Sequence, residues 1–474
     1  MKKILPAAVL FLSVPLVFAR QPENSSSGQD TRYGYAEIRQ AVVMNNPDIL
    51  KLQEEYNRSL IDVRDAWGGL GPTVDMQISG TYMMNPPVGP LSFNVDDIIN
   101  SVQWPAGVRP VSSGQYVRVY DGMENTLYNL SLSMTQPLFT WGKIPNAIKL
   151  YRQIAGIKEL QLSDEIDRMD TELETRLMSL SHLYRILDIL EEEQTYADKM
   201  VTYSEDAEKS GMLLHQDVVD ARIKAKELEI ARQDLNEQIA DQLLELQRMS
   251  GIDGLERDTI DYSFDGNIVS RIMAFDRTES EEKALSGERT SLKMVTRLVD
   301  VNRTAEKIAR GSVNWKPDFA LQVSAGYGGS RVPIFEPNWY RKDDYTLNFS
   351  LGIKTTVWDG GKKVNDVARK ISESNTAELE QSGVRSTIRQ TLMSQWNTAD
   401  VCTMKIEYQD LKIEAADSKI AQQQLLFDSG YGSETDLLSA KIDRCNERIE
   451  REKQSLSRAA ACLAISYLCG IPVR

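Results

Sequence analysis

The sequence predicts a mainly helical chain with a transmembrane β portion, built as a duplicated unit of helix, strand, strand and helical hairpin. Three observations predict it. Residues 157–210 hold neither glycine nor proline, so one helix can run through them. Four short stretches alternate apolar and polar residues with the period of a strand. A constant shift of 219 lays one half of the chain over the other.

The chain opens on "MKKILPAAVLFLSVPLVFA". Lys2 and Lys3 precede an apolar run from Ile4 to Phe18, and Val17-Phe18-Ala19 ends it in a small-residue cleavage pattern. This reads as a signal peptide over 1–19, and hence as an exported protein. No cysteine stands directly after the cleavage point, so a lipid-anchored start is not expected. After Ala19 no apolar run is long enough to span a bilayer as a helix, so any membrane entry must be by strands. With 41% hydrophobic and 26% charged residues the chain is neither disordered by composition nor a polytopic helical membrane protein. A net charge of -14 argues against nucleic-acid binding.

The first repeat is expected over 33–252, with strands near 73–82 and 127–136 and a helical tip near 211. In the second strand, Tyr128, Leu130, Leu132 and Met134 alternate with Asn129, Ser131, Ser133 and Thr135. In the first, Val74, Met76 and Ile78 alternate with Asp75, Gln77 and Ser79. Residues 83–127 are expected as a long, proline-containing loop between them. A helix then follows from Gly142, with Pro145 near its start, where proline is tolerated. Leu162, Ile166, Met169, Leu173, Leu177, Leu180, Leu183, Leu187 and Leu190 recur at steps of three and four, a coiled-coil-like seam. From Gly142 to Ser210 such a helix would be about 100 Å long. Gly211 is a natural place for it to reverse.

A connector is expected over 253–285 and a second repeat over 286–471, with strands near 318–327 and 345–355 and a tip near 430. Asn129, Ser131, Leu132, Gly142, Lys143 and Asn146 match Asn348, Ser350, Leu351, Gly361, Lys362 and Asn365 at the shift of 219. Ser210-Gly211, Asp217, Ala221 and Gly251-Ile252 match Ser429-Gly430, Asp436, Ala440 and Gly470-Ile471 at the same shift. Upstream, "PTVDMQISGTY" from Pro72 resembles "PDFALQVSAGY" from Pro317 at a shift of 245.

The strands carry a consequence. Open sheet edges are not tolerated in lipid, because unpaired backbone groups there cost several kcal/mol each. Four strands cannot close on themselves, so in a membrane several chains must pool strands. Two chains would give a barrel filled by side chains, and three a barrel of twelve strands with an aqueous bore. The alternative is a small soluble sheet whose apolar face packs on helices.

Little points to chemistry. Cys402, Cys445, Cys462 and Cys469 form no CxxC pair and only His182 and His215 are present, so a zinc site is not expected. The cysteines read as buried small apolar residues. GxSxG, HExxH and phosphate-loop motifs are absent, so the chain reads as no enzyme and needs no cofactor.

The strand-to-helix junctions "QPLFTWGK" and "TTVWDGGKK", the tips "SGMLLHQDVVDA" and "SGYGSETDLLSA", and the endings "MSGI" and "LCGI" resemble those of the TolC family of outer-membrane efflux and secretion channels. The resemblance covers nearly the whole mature chain. It implies a homotrimer in the bacterial outer membrane, forming a 12-stranded β-barrel continued by a long α-helical barrel in the periplasm. Such a trimer is an exit duct of a tripartite efflux pump or type I secretion system. It would be joined by a periplasmic adaptor (membrane fusion) protein to an inner-membrane pump such as an RND or ABC transporter. An exported coiled-coil structural or adaptor protein is the competing reading.

The resemblance also implies sites. Asp217, Asp220 and Asp436 fall where the family carries gate carboxylates, while Ser439 replaces the fourth acid. Three-fold symmetry would turn each into a charged ring; three solvated acids near helix starts are the plain alternative. The basic residue that locks some members has no counterpart, Leu213 and Gly432 standing near its place. Ser210, Gly211, Met212, Ser429, Gly430 and Tyr431 match the segments offered to the adaptor. Phe139, Trp141 and Trp358 sit where strands would leave the membrane, as interfacial anchors or as packing for the helix top.

Overall fold

The computed structural model describes residues 32–108, 110–111, 114–261, 267–287, 289–313, 315–330 and 344–471. The expected leader over 1–19 lies outside the described residues. Two helices come first, α1 (Tyr35–Asn45) and α2 (Pro47–Gly68). Asn46 divides them: its Oδ1 accepts from the Asp48 and Ile49 amides, at 2.9 and 3.4 Å, and Pro47 supplies the preset first turn. Strand β1 (Thr73–Tyr82) leads out, and β4 (Thr126–Phe139) leads back.

The segment between β1 and β4 is not simply a loop. It holds β2 (Leu91–Asn94), α3 (Val95–Ser101) and β3 (Tyr116–Tyr120). Strands β2 and β3 pair antiparallel, and Asn94 caps α3 by accepting from the Asp96 amide at 3.0 Å. The period of two in Tyr116-Val117-Arg118-Val119-Tyr120 is the sequence signal for this excursion, and Pro86, Pro87 and Pro90 obscure it.

Helix α4 (Lys143–Lys209) and helix α5 (His215–Ser250) form the first hairpin. A connector with α6 (Asn267–Met273) and α7 (Arg277–Leu285) leads to α8 (Thr290–Gly311), β5 (Asp318–Gly329) and β6 (Tyr345–Lys354). Helices α9 (Lys362–Asp428) and α10 (Glu434–Cys469) form the second hairpin. The long helices α4 and α9 have 67 residues each, the returning helices α5 and α10 have 36 each, and every end lies 219 positions from its counterpart. Left-handed glycines bound them: Gly142 and Gly361 precede the long helices, and Gly251 and Gly470 end the short ones.

The four long helices lie in the order α5, α4, α10, α9, with α2 and α8 against the sheet-proximal part of α4 and α8 also against α9. One apolar cluster follows the seam of α4. Met169, Leu173, Leu177, Leu180, Leu183, Leu187 and Leu190 are buried in it, with Leu162 and Ile166 at its margin. A second cluster joins α6, α7, α8, α9 and α10 through Ile272, Ala284, Leu292, Trp396 and Cys462. Burial of this kind is worth about 1.5–3 kcal/mol for each large side chain. Among the described residues no helix is long and apolar enough to cross a membrane.

Candidate functional site

The sheet has the order β1-β4-β5-β6 and is antiparallel throughout. Its register sorts the alternating residues into rows. Val74, Met134, Val323 and Phe349 lie side by side, as do Met76, Leu132, Ala325 and Leu347. On the other face Asp75, Ser133, Ser324 and Asn348 form a row, next to Thr73, Thr135, Gln322 and Ser350. The sheet therefore has one apolar and one polar face. Among the described residues no helix covers the apolar face at its flanks: Ile78 is 70% exposed and Phe349 71%. β1 and β6 each pair on one side only among the described residues.

The helical layer ends in the same way. Helix α5 presents exposed Ile223, Ile230 and Leu244, spaced by multiples of seven, and α9 presents exposed Val401, Met404, Tyr408 and Leu411. Both edges of the molecule, β1 with α5 and β6 with α9, thus carry unused pairing or packing capacity.

Strand and helix meet at an aromatic junction. Phe139 and Trp141 are edge-to-face at 5.2 Å, Trp141 meets Trp315 at 6.0 Å, and Phe139 meets Phe319 at 6.3 Å. The Trp141 indole N–H donates to the Pro317 carbonyl at 2.9 Å, and Lys316 Nζ lies 4.9 Å above the Trp315 ring. Trp141 itself has a left-handed backbone, φ 53°, which with Gly142 at 78° turns the strand into α4. Trp358 is 82% exposed. Neither Trp315 nor Phe319 was expected at this junction from sequence; the aromatic-basic cluster "WKPDF" leading into β5 was their available signal.

At the tips, Gly211 and Gly430 have φ of 74° and 77° and reverse the chain. Met212 is 74% and Tyr431 88% exposed, so each turn offers an apolar side chain to solvent. Ser210 and Ser429 hydroxyls donate back into the ends of α4 and α9 at 2.5 and 2.7 Å. The three acids are exposed. Asp217 Oδ2 accepts from the Leu214 amide at 3.0 Å and closes the start of α5, and Asp220 Oδ1 accepts from the Gln216 amide group at 2.9 Å. Asp436 lies in the first turn of α10. Within one chain α4 separates α5 from α10, so Asp217 and Asp220 are not brought together with Asp436 by the monomer. The first hairpin is tied near its tip by Arg222 to Glu205 at 2.6 Å and by His215 to Glu208 at 2.9 Å.

Sequence reasoning also missed a band of charge across α4, α9 and α10. Glu192 accepts from Arg444 at 2.9 Å, Arg448 at 2.6 Å and the Tyr196 hydroxyl at 3.0 Å. His182 Nδ1 lies 2.7 Å from Glu452, whose carboxyl sits below the ordinary carboxylate range because of that bond, with burial opposing. Lys412 pairs with Glu447, Lys419 with Asp443, and Arg451 with Asp410. All four cysteines are buried as free thiols, and burial pushes those of Cys445, Cys462 and Cys469 up to about 11. Among the described residues no three His, Cys, Asp or Glu side chains are grouped as metal ligands.

No protein-family model matches the sequence, and no curated protein is similar to it at the sequence level. Solved structures do match. The outer membrane protein VceC from Vibrio cholerae aligns with a TM-score of 0.70 at 14% identity, over 92% of this chain and 96% of that one. The CmeC outer membrane channel of Campylobacter jejuni aligns at 0.69 and 11%, over 92% and 86%. The MtrE outer membrane channel of Neisseria gonorrhoeae, in its open state, aligns at 0.63 and 11%, over 93% and 89%. The chain thus has the fold of these outer-membrane channels.

Proposed function

We propose that the chain belongs with the TolC-like outer-membrane channels and acts as a trimeric exit duct, spanning the outer membrane with strands and the periplasm with helices. The observation that carries this is the four-stranded sheet with one bare apolar face, one polar face and two open edges. A soluble sheet would cover that apolar face with its own helices. In lipid the apolar face is solvated by acyl chains, and the edges must be closed by other copies. Three copies supply twelve strands. The helical edges support the same closure, since exposed stripes on α5 and α9 would face each other between neighbouring copies. The repeated lengths of α4 with α9 and of α5 with α10 fit two copies of one unit, giving each trimer six hairpins.

In this reading nothing is catalysed. Cargo is passed on from a periplasmic adaptor and an inner-membrane pump, for efflux or for secretion. Asp217, Asp220 and Asp436 form carboxylate rings at the periplasmic constriction, and Met212 and Tyr431 with their flanking Ser-Gly pairs meet the adaptor. Phe139, Trp141 and Trp358 lie at the periplasmic boundary of the outer membrane, with Trp315 and Phe319 beside the first two. The competing reading, an exported coiled-coil structural or adaptor protein, leaves the bare sheet face unexplained.

Membrane fractionation with heat-modifiable migration tests the proposal. A duct is recovered in the outer membrane as an oligomer of three chains that dissociates on boiling. A monomer stable in buffer without detergent would overturn it.

A further inference from the structure

The seam between α4 and α10 holds an ionisable group that none of these roles uses. Glu193 is 1% exposed, in the same buried stripe as Leu190 and Ala197, sixteen residues before the end of α4. That is about 24 Å of helix from the tip. Its Oε2 has no hydrogen-bond partner among the described residues. The Asn446 amide on α10 favours the charged form, but burial outweighs it and pushes the carboxyl up to about 7.

The surrounding charges are committed elsewhere. Arg444 and Arg448 of α10, the cations nearest in sequence to Asn446, are both bonded to Glu192. Lys441 of α10 lies over the Tyr196 ring. At this level of α5, Lys226 pairs with Glu229 in solvent. Cys445, beside Asn446, is buried, and its thiol is raised by burial first and then by Glu192 and Glu193, so it stays neutral around pH 7. A charge on Glu193 therefore meets a neutral amide, a neutral thiol and aliphatic side chains. Ionising it there carries a desolvation cost that the seam does not offset.

We propose that Glu193 is a proton-operated joint between the two hairpins: protonated, it lets α4 lie closed against α10, and ionised, it loosens that seam. The sign follows from the raised value in the folded chain. The contribution to stability is complete below the ordinary carboxylate value of 4.5 and is lost as pH rises through about 7. In the duct reading, on which this further step rests, the joint sets how freely the two tips of each copy part, so that the periplasmic opening widens as pH rises.

Hydrogen–deuterium exchange of the detergent-purified protein, corrected for intrinsic rates, tests the joint without reference to transport. Protection of peptides covering 186–200 and 440–452 should fall about tenfold between pH 6 and 8. In Glu193→Gln, which keeps shape and the bond to Asn446, it should stay flat. Glu193→Leu, which cannot ionise, should also be flat. Wild-type protection that does not change with pH, or an unchanged pH dependence in Glu193→Gln, would overturn the proposal. Bilayer conductance separates the second step. If exchange depends on pH and wild-type conductance does not, the joint stands and its control of the opening is overturned.

Discussion

Lys143 Nζ lies 2.5 Å from Asp318 Oδ2, joining the first residue of α4 to the first residue of β5 across the two halves of the chain. The second half does not repeat this pair in its sequence: Lys362 matches Lys143, but Thr73 stands at the position matched to Asp318. Gly311 makes room for this tie: a β-carbon there would sit 3.0 Å from the Trp141 carbonyl and from Lys143 Cγ. Lys143→Met should cost about 1–3 kcal/mol, since it strips the partner from an acid whose Oδ1 is already buried and unpaired among the described residues. Adding Asp318→Asn should recover part of that loss. Thermal melting of the two single variants and the double variant checks it; additive losses would show that the pair is not coupled.

Gly156 reverses an ordinary rule about helices. Replacing a mid-helix glycine with alanine normally gains about 1 kcal/mol. Here the new β-carbon would lie 2.4 Å from Arg297 Nη1, which donates to the Gly156 carbonyl at 2.6 Å. Gly156→Ala should therefore be no more stable than the wild type. With Arg297→Ala already present, the same change should gain about 1 kcal/mol. A gain in both backgrounds, read by melting temperature, would show that the arginine is not constrained there.

At the second tip Gly432 leaves no room for a side chain. A β-carbon there would sit 2.8 Å from the Phe427 amide nitrogen and 2.9 Å from the Leu426 carbonyl carbon, both backbone atoms. A basic side chain at this place needs the end of α9 to move. Gly432→Ala should cost about 1–3 kcal/mol. Exchange of the tip peptide spanning 425–436 should speed up accordingly, and unchanged exchange would mean that the turn relaxes freely.

Much of this architecture could be read from the chain because it repeats simple periods. A step of three and four gave the α4 seam, and a step of two gave all four long strands. Left-handed turns needed glycine at 211 and 430. What stayed hidden depends on side chains from distant segments. Glu192 meets Arg444 and Arg448 only because α10 packs on α4, some 250 residues later, and a Glu-Glu-Glu run at 191–193 looks like a solvated face. The burial of Glu193 is invisible for the same reason. The β2–α3–β3 excursion was hidden by its prolines, and the Trp141–Trp315 contact by a separation of 174 positions.

The gate candidates need a test that separates charge from capping. Asp217 holds the start of α5 through the Leu214 amide, so alanine there would also cost about 1 kcal/mol of helix-end stability. Asparagine keeps an acceptor and removes the charge. The triple variant Asp217→Asn, Asp220→Asn, Asp436→Asn should raise single-channel conductance and reduce cation preference in planar bilayers. Unchanged conductance and selectivity would count against a carboxylate constriction.

Glu452 should mark the acid limit of the helical layer, opposite in sign to Glu193. The bond from His182 comes first among the causes that hold its carboxyl low, and burial works against it. A group lowered in the folded chain contributes stability that is present above its unfolded value, near 4.5, and is lost as pH falls through the folded value. Arg185 and Arg451 lie 3.9 and 3.7 Å away and give weaker support. In His182→Phe that support remains but the bond is gone, so the carboxyl returns toward its ordinary range. Loss of helical signal on acidification should then begin at a higher pH than in the wild type, with stability at pH 8 lowered as well. Identical acid profiles for the two proteins would show that His182 fills space beside Glu452 without stabilising its charge.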